Sequence, residues 1–335
     1  MSQQWTDLSS GTWGNPELSK QQLAVAYKKM RLGDAVTPAK EYALNKQNGD
    51  KVAWRILGRI ANRATAAINE NQKVPFGKPA EYTATATVTR WALGIATTGV
   101  RRDVDRINVD EMNIRALRDH MARTHNMRIY NQLYAGRSFA YVATGTVSSP
   151  TNTFTTTGTP SGTAARNFIM YDVRKLARYA DAYNIPPFDG ENYVMFISPS
   201  IKENLLLDTA TNGFIDIKKY ASGGAEGALN GEIGMAGGIR FVVDNDAMNQ
   251  TVTTDGATVI SEGIGSGSAF GSGFFCGADP VKEVVVYPPH FRVQENLSSD
   301  FGNQHGVCWQ SLMAYCTEKN YTSHGEGTII HYYTA

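Results

Sequence analysis

The stretch that most limits what this chain can fold into is Tyr183–Asp208, YNIPPFDGENYVMFISPSIKENLLLD. Pro186 and Pro187 end whatever element precedes them, because proline fixes φ and has no N–H to extend a hydrogen-bond ladder. Gly190 turns the chain, Tyr193–Ile197 reads as a short apolar strand, and Ser198 with Pro199 reads as the N-cap and first position of a new helix. Just upstream, Val173, Leu176, Ala180 and Tyr183 recur at helical spacing and stop at the two prolines. Helix, turn, strand and helix follow one another with almost no slack, and no catalytic triad, metal cluster or phosphate loop lies on them. The stretch sets geometry rather than chemistry, and it places the chain in the α+β class.

At 335 residues the chain is long enough for more than one compact unit. No apolar run reaches the length of a membrane span, and the first ten residues show neither the basic nor the apolar segment of a secretory leader. Three cysteines, Cys276, Cys308 and Cys316, do not make a disulfide framework and suit a reducing compartment. The net charge of +1 conceals an asymmetry: residues 1–137 carry 21 Lys and Arg against 12 Asp and Glu, and residues 138–335 carry 11 against 19. A +9 part followed by a −8 part fits one region that meets a polyanion, and equally two solvated faces of opposite sign.

The basic part looks arm-like. Residues 1–16 are polar and aperiodic, with Trp5 and Trp13 suited to burial on another subunit. A short helix with a Ser19/Gln22 capping box follows and closes at Gly33. Residues 50–68 are expected to be helical, with Lys51, Arg55, Arg59 and Arg63 as a cationic stripe opposite Trp54, Leu57, Ala61, Ala64 and Ile68. That stripe suits solvent as well as phosphate. KVPFGKPAEY, residues 73–82, is a loop tip, and TATATVTRWALGI after it alternates as one long strand of a projecting β-arm. Asp110 is the expected N-cap of a long helix reaching Leu133 or beyond, which carries Arg115, Arg118, Arg123 and Arg128. A Thr/Ser/Gly-rich run, Thr144–Ala165, reads as a surface loop or boundary. Gly231, Gly234 and Gly238 lead into a strand at Ile239–Val243, and the C-terminal part is strand-like, with Pro288-Pro289 in a turn.

The candidate chemistry is thin. His120 and His125 are five apart, not the four that sets two imidazoles on one metal. His305, Cys308, Cys316 and His324 match no zinc spacing. DNDAMNQTVTTDG puts Met248 where a calcium loop needs an oxygen, and GIGSGSAFGSG lacks the lysine and following helix of a phosphate loop. No catalytic, metal-binding or cofactor-binding residue is assigned.

YDVRKLARYADAYNIPPFDGENYVMFISPSIKENLLLD, followed by FIDIKKYASGGAEGALNGEIGMAGGIRFVVDND, resembles the middle of a tailed-phage major capsid protein. It is most similar to the coat family first described for the coliphage called N-four. The resemblance covers about 75 residues and rests on the order of its pieces, ending in G-E-I-G-x-x-x-G-I-R-F-V-V. It implies a Hong Kong-97-type fold: an N-terminal arm (1–50), a basic helix and extended loop (51–100), a peripheral domain with a spine helix (101–145 and 280–335), and an axial domain (146–279). It further implies a non-enzymatic virion protein, assembled in the host bacterial cytoplasm into hexamers and pentamers of an icosahedral shell around double-stranded DNA. Portal, scaffolding and decoration proteins are its implied partners, and no membrane or cofactor is implied. On this reading the Lys51–Arg63 stripe or the spine-helix arginines face DNA or neighbouring subunits. The competing expectations are an α+β hydrolase and a β-rich adhesion module, the latter without the repeats such a module needs.

Overall fold

Five strands whose buried residues fall on both sides, not on alternate ones, build the centre of the molecule. In the computed structural model, which describes residues 31–38, 51–58, 70–71, 73–74, 76–79, 81–104, 108–162, 164–208, 232–244, 271–294, 304–319 and 327–334, these are β5 (Phe139–Gly145), β7 (Tyr193–Ile197), β9 (Ile239–Val243), β10 (Gly271–Cys276) and β13 (Ile329–Thr334). With β6 (Pro150–Thr155) and β8 (Glu232–Ala236) at its edges they form a seven-stranded mixed sheet, ordered β6-β5-β13-β10-β7-β9-β8. Near-continuous apolar strands are what a sheet covered on both faces requires. One face packs on α3 (Met170–Ala182) and α4 (Pro199–Leu207), through Val173, Leu176, Ala180, Ile201 and Leu205. The other packs on Ile129, Tyr130 and Leu133 of the long helix and on Leu32 and Ala35 near the N-terminus.

A second sheet of long strands, ordered β1-β11-β12-β4, comprises β1 (Val36–Pro38), β11 (Val281–Gln294), β12 (Gln304–Cys316) and β4 (Thr89–Thr98). A two-stranded ribbon, β2 (Lys51–Leu57) with β3 (Glu81–Thr87), lies on it through Val52, Trp54, Ala84 and Ala86, which meet Val284, Ala314 and Cys316. A short helix α1 (Gly99–Val104) joins β4 to the spine helix α2 (Val109–Ala135). At 27 residues, α2 spans about 40 Å.

Several expectations need correction. Residues 51–57 are a strand, not a helix: Val52 and Trp54 point inward while Lys51, Ala53, Arg55 and Leu57 point out. Residues four apart share a side in a strand as well as in a helix, so the Lys51/Arg55 spacing did not discriminate, and the Thr-rich partner β3 decided the matter. Arg59 and Arg63, with the rest of the expected helix, lie outside the described residues, as do Trp5, Trp13, the Ser19 capping box and Gly231. The arm strand is two strands in two sheets, split at Val88, and the covered positions change from Ala84 and Ala86 in the first to Trp91, Ile95 and Thr97 in the second. Asn108, not Asp110, caps the spine helix: its Oδ1 accepts the Glu111 N–H at 3.3 Å, and Asp110 and Glu111 occupy the first turn, where negative charge suits the helix dipole. The Thr/Ser/Gly run contains edge strand β6, hydrogen-bonded to β5 around the turn at residues 146–149. Pro288 and Pro289 sit within a bulge of β11 rather than in a turn between strands; the ladder to β12 skips there, which a residue without N–H tolerates. Finally, β5 and β13 pair in the seven-stranded sheet, so the C-terminal strands divide between the two sheets instead of grouping in one.

The opening stretch folds as read, with two refinements. Helix α3 is closed by Asn184 in the left-handed region (φ 52°), with the Asn184 N–H donating to Asp181 and the buried Ile185 N–H to Ala180. That is a Schellman ending, and Pro186-Pro187 follow it instead of causing it. Gly190 (φ 73°) turns the chain into β7, a conformation that a side chain resists. Ser198 holds the N-cap position and Pro199 the first helical one, but the Ser198 hydroxyl pairs with the Ser200 hydroxyl at 2.8 Å and makes no capping bond. Gly237 and Gly238, at φ 60° and 78°, form the two-residue turn joining β8 to β9, and Gly234 lies where the register of that hairpin shifts.

Candidate assembly surfaces

The polar groups that the fold places with care hold elements together. Asp172, in the first turn of α3, receives two bonds of 2.5 Å from the Arg166 guanidinium, one from the Ile169 N–H at 3.0 Å and one from the Tyr141 hydroxyl. Arg166 also donates to the carbonyls of Thr144 (2.9 Å) and Thr151 (3.1 Å), and the Thr334 hydroxyl donates to the Arg166 carbonyl at 2.8 Å. This buried centre fastens β5, β6, α3 and the last strand together. Burial acts to lower the Arg166 pKa, but the hydrogen bonds and charge of Asp172 more than offset it and hold the guanidinium protonated. The Tyr141 phenol is pushed far above its ordinary value by burial and by the Asp172 charge.

A second joint ties the spine helix to the seven-stranded sheet. The Asp244 carboxylate accepts the Arg31 N–H at 2.7 Å and an Asn126 amide N–H at 3.1 Å, and the Asn126 carbonyl oxygen accepts the Leu32 N–H at 3.3 Å. Just upstream on α2, the Trp309 indole N–H donates to His120 Nδ1 at 3.3 Å, and His125 Nδ1 lies 3.1 Å from the Tyr315 hydroxyl. The two imidazoles thus brace the helix against β12, and burial pushes the His125 pKa down. Among the described residues no group of three or more His, Cys, Asp or Glu could hold a metal ion. Nor is any described helix long and apolar enough to cross a membrane.

The basic residues do not form one surface. Arg115, Arg118 and Arg123 are exposed on the spine helix, with Arg115 paired to Glu111 at 2.6 Å. Arg128 turns the other way and stacks its guanidinium 3.6 Å over Trp91 of β4. Lys51 and Arg55 lie on the outer face of the ribbon. The spine helix packs on the face of β12 that carries Val307 and Trp309, while the ribbon packs on the face that carries Ala314 and Cys316. Those faces are opposite, so the two groups of cations look away from each other.

Projecting parts expose apolar side chains that one chain leaves uncovered. In the loop tip beyond the ribbon, Phe76 is 90% exposed and Val74 60%, flanked by Lys73 and Lys78. At the far end of α4, Leu207 is 67% exposed. Phe76 and Val74 stand close together on one loop, which makes that tip a candidate contact for another chain. The sequence signalled the loop tip through Pro75, Gly77 and Pro79. Arg166, Asp172, Asn126 and Asp244 carry no comparable signal, because their partners lie up to 213 positions away along the chain.

Solved structures share this architecture over nearly the whole chain. The head structure of Helicobacter pylori bacteriophage KHP40 matches with a TM-score of 0.66 at 12% identity, covering 100% of this chain and 98% of the other. The capsid asymmetric unit of cyanophage Pam1 gives 0.65 at 13%, covering 97% of each chain. The capsid of Ralstonia phage GP4 gives 0.63 at 17%, covering 96% of each. No protein-family model and no curated protein sequence matches the chain. The chain therefore has the Hong Kong-97-type fold of tailed-phage capsid subunits, reached with little sequence in common.

Proposed function

We propose that this chain is the major capsid protein of a tailed bacteriophage, a structural subunit whose copies close into the icosahedral head around double-stranded DNA. The observation that carries this is the match to phage capsid chains over 96–100% of this chain. The projecting Phe76 loop and the rigid buried centres fit a subunit that must bend at its edges and keep its middle fixed in slightly different shell positions. The axial domain comprises the seven-stranded sheet with α3 and α4, and the peripheral domain the four-stranded sheet with the first half of the spine helix. The extended loop is the β2–β3 ribbon with residues 58–80, and the N-terminal arm precedes it, with Trp5 and Trp13 as anchors on neighbouring subunits. Assembly takes place in the host cytoplasm, with portal and scaffolding proteins, and with decoration proteins where the head carries them.

Of the basic groups, Arg115, Arg118 and Arg123 on the open side of the spine helix are the ones we assign to the packaged DNA, as non-specific phosphate contacts. Lys51 and Arg55 face the opposite way. Reversing the three spine charges to Glu tests this: shells should still close but retain less DNA, whereas reversal of Lys51 and Arg55 should leave the DNA content unchanged. Equal DNA content in both variants would refute the assignment. Sedimentation of the expressed chain, alone and with a scaffolding partner, tests the function itself, with particles far larger than a monomer as the expected outcome.

A further inference from the structure

The ribbon covers only one end of the outer face of the four-stranded sheet, and a row of cations crosses the uncovered part. Arg90 of β4, Gln310 of β12, and His290 and Arg292 of β11 lie on that face, since they share it by register and alternation with Ala314 and Cys316 under the ribbon. They are wired together. Arg90 donates to Gln310 Oε1 at 2.5 Å, Gln310 Nε2 lies 2.8 Å from His290 Nε2, and Arg292 Nε donates to the same His290 nitrogen at 3.3 Å. His290 Nδ1 lies 2.9 Å from the Pro288 carbonyl, which can only accept. The proton therefore sits on Nδ1, and Nε2 presents its lone pair to both donors. Gln310 is only 7% exposed, whereas the two arginines stand in solvent.

Each guanidinium uses one of its five N–H groups in this network and directs others outward. Among the described residues no ion pair includes Arg90, His290 or Arg292. Arg90 lies opposite Leu312 and Arg292 opposite Cys308, so the two arginines stand two strands and four residues apart and reach toward each other across the buried Gln310 amide and the His290 imidazole, with no carboxylate partner among the described residues. Beside the row the floor is Ala92 and Gly94, both exposed, and the ribbon rises at one end by about the 10 Å of a packed layer. An extended polypeptide can lie on such a floor, next to the wall the ribbon makes. A DNA duplex, about twice as wide as that step is high, meets only its rim.

We infer that Arg90 and Arg292 form a carboxylate-binding site that receives an acidic segment of a second copy of this chain. Charge complementarity selects that occupant: the row is cationic and neutral, while residues 138–335, to which Arg292 itself belongs, carry a net excess of acid, −8 in all, so acidic stretches are abundant on a second copy. In a shell of identical subunits every such row meets a neighbour in a closely similar relation. Gln310 and His290 are positioning residues that hold the two guanidinium groups apart and aimed, and the carboxylates bind through charge-assisted, bidentate-capable contacts.

This inference rests on the capsid reading, and its test separates the two. Full-length R90K and R292K chains, prepared with nitrogen-14 and nitrogen-15, are mixed as dissociated subunits, assembled and treated with a carbodiimide, which joins an amine to a touching carboxylate. Mass spectrometry should find amide cross-links from position 90 or 292 to an Asp or Glu, half of them between isotopically different copies. Shells that form but give only cross-links within one copy, or none at either position, overturn the inference and leave the capsid reading standing. Failure of the unsubstituted chain to assemble under any condition removes both. In parallel, R90E/R292E should lower shell yield roughly tenfold or more, with unchanged circular dichroism and thermal midpoint of the subunit. Unchanged yield together with reduced DNA content would assign the row to phosphate instead.

Discussion

Single side chains decide where this subunit is rigid. The Arg166–Asp172 pair is fully buried and doubly bonded, so removing one partner strands the other charge in the core. Asp172→Asn or Arg166→Met should each cost about 3–5 kcal/mol in urea unfolding. A loss under about 1 kcal/mol would show that the pair does not hold the seven-stranded sheet. His331 makes a different prediction. It is buried on β13, with neither ring nitrogen partnered among the described residues, stacked on Phe274 at 4.6 Å and faced by Tyr134, Tyr333 and the positive charge of Arg137. Burial first, and Arg137 second, push its pKa well below the ordinary value. The unfolded chain takes up a proton near pH 6.5 and the folded one does not. Stability is therefore complete above about pH 6.5 and falls below it, by at most about 1.4 kcal/mol per pH unit for this group. His331→Phe, which keeps the stack, should flatten that acid slope in pH-dependent denaturation, and an unchanged slope would assign it to other groups.

At the scale of elements, the spine helix shows what periodicity could and could not convey. Its existence and approximate length are legible in the apolar positions from Ile114 to Leu133, and the turn chemistry around Gly190 and Pro199 fixes the path of the chain nearby. Its two allegiances are not legible. Leu117, Ile114 and Met121 pack on Val307 and Trp309 of one sheet, while Ile129, Tyr130 and Leu133 pack on Phe274 and Phe196 of the other. The two contact faces lie on different sides of the helix, so no single stripe runs its length. Leu117→Ala and Leu133→Ala should each cost about 2–5 kcal/mol, and the double substitution should equal their sum within about 0.5 kcal/mol. Strong coupling in that cycle, read from equilibrium unfolding, would contradict two separate cores. The ribbon was misread for a related reason. Seven residues that alternate and also repeat every four satisfy both periods, and only the strand 24 or more positions later settles which one forms.

At the scale of the molecule, the order of short motifs between Tyr171 and Asp246 conveyed the fold class and the capsid resemblance, and whole-chain matches at 12–17% identity bear the fold out. The assembly surfaces were far less legible. A capsid subunit's site is spread over loops and strand faces whose partners lie on other chains, so it leaves no spaced set of reactive residues in the sequence. Phe76 tests that distributed picture. At 90% exposure it contributes little to the isolated fold, so Phe76→Ser should shift subunit stability by less than about 0.5 kcal/mol while sharply lowering shell yield. Normal yield would move the contact elsewhere. The most direct measurement is electron cryomicroscopy of the particles formed when the full chain is expressed alone and together with a scaffolding protein. Closed icosahedral shells built from this subunit, with the Phe76 loop and the Arg90–Arg292 row against neighbouring copies, are expected; a chain that stays monomeric under every assembly condition is not a capsid protein.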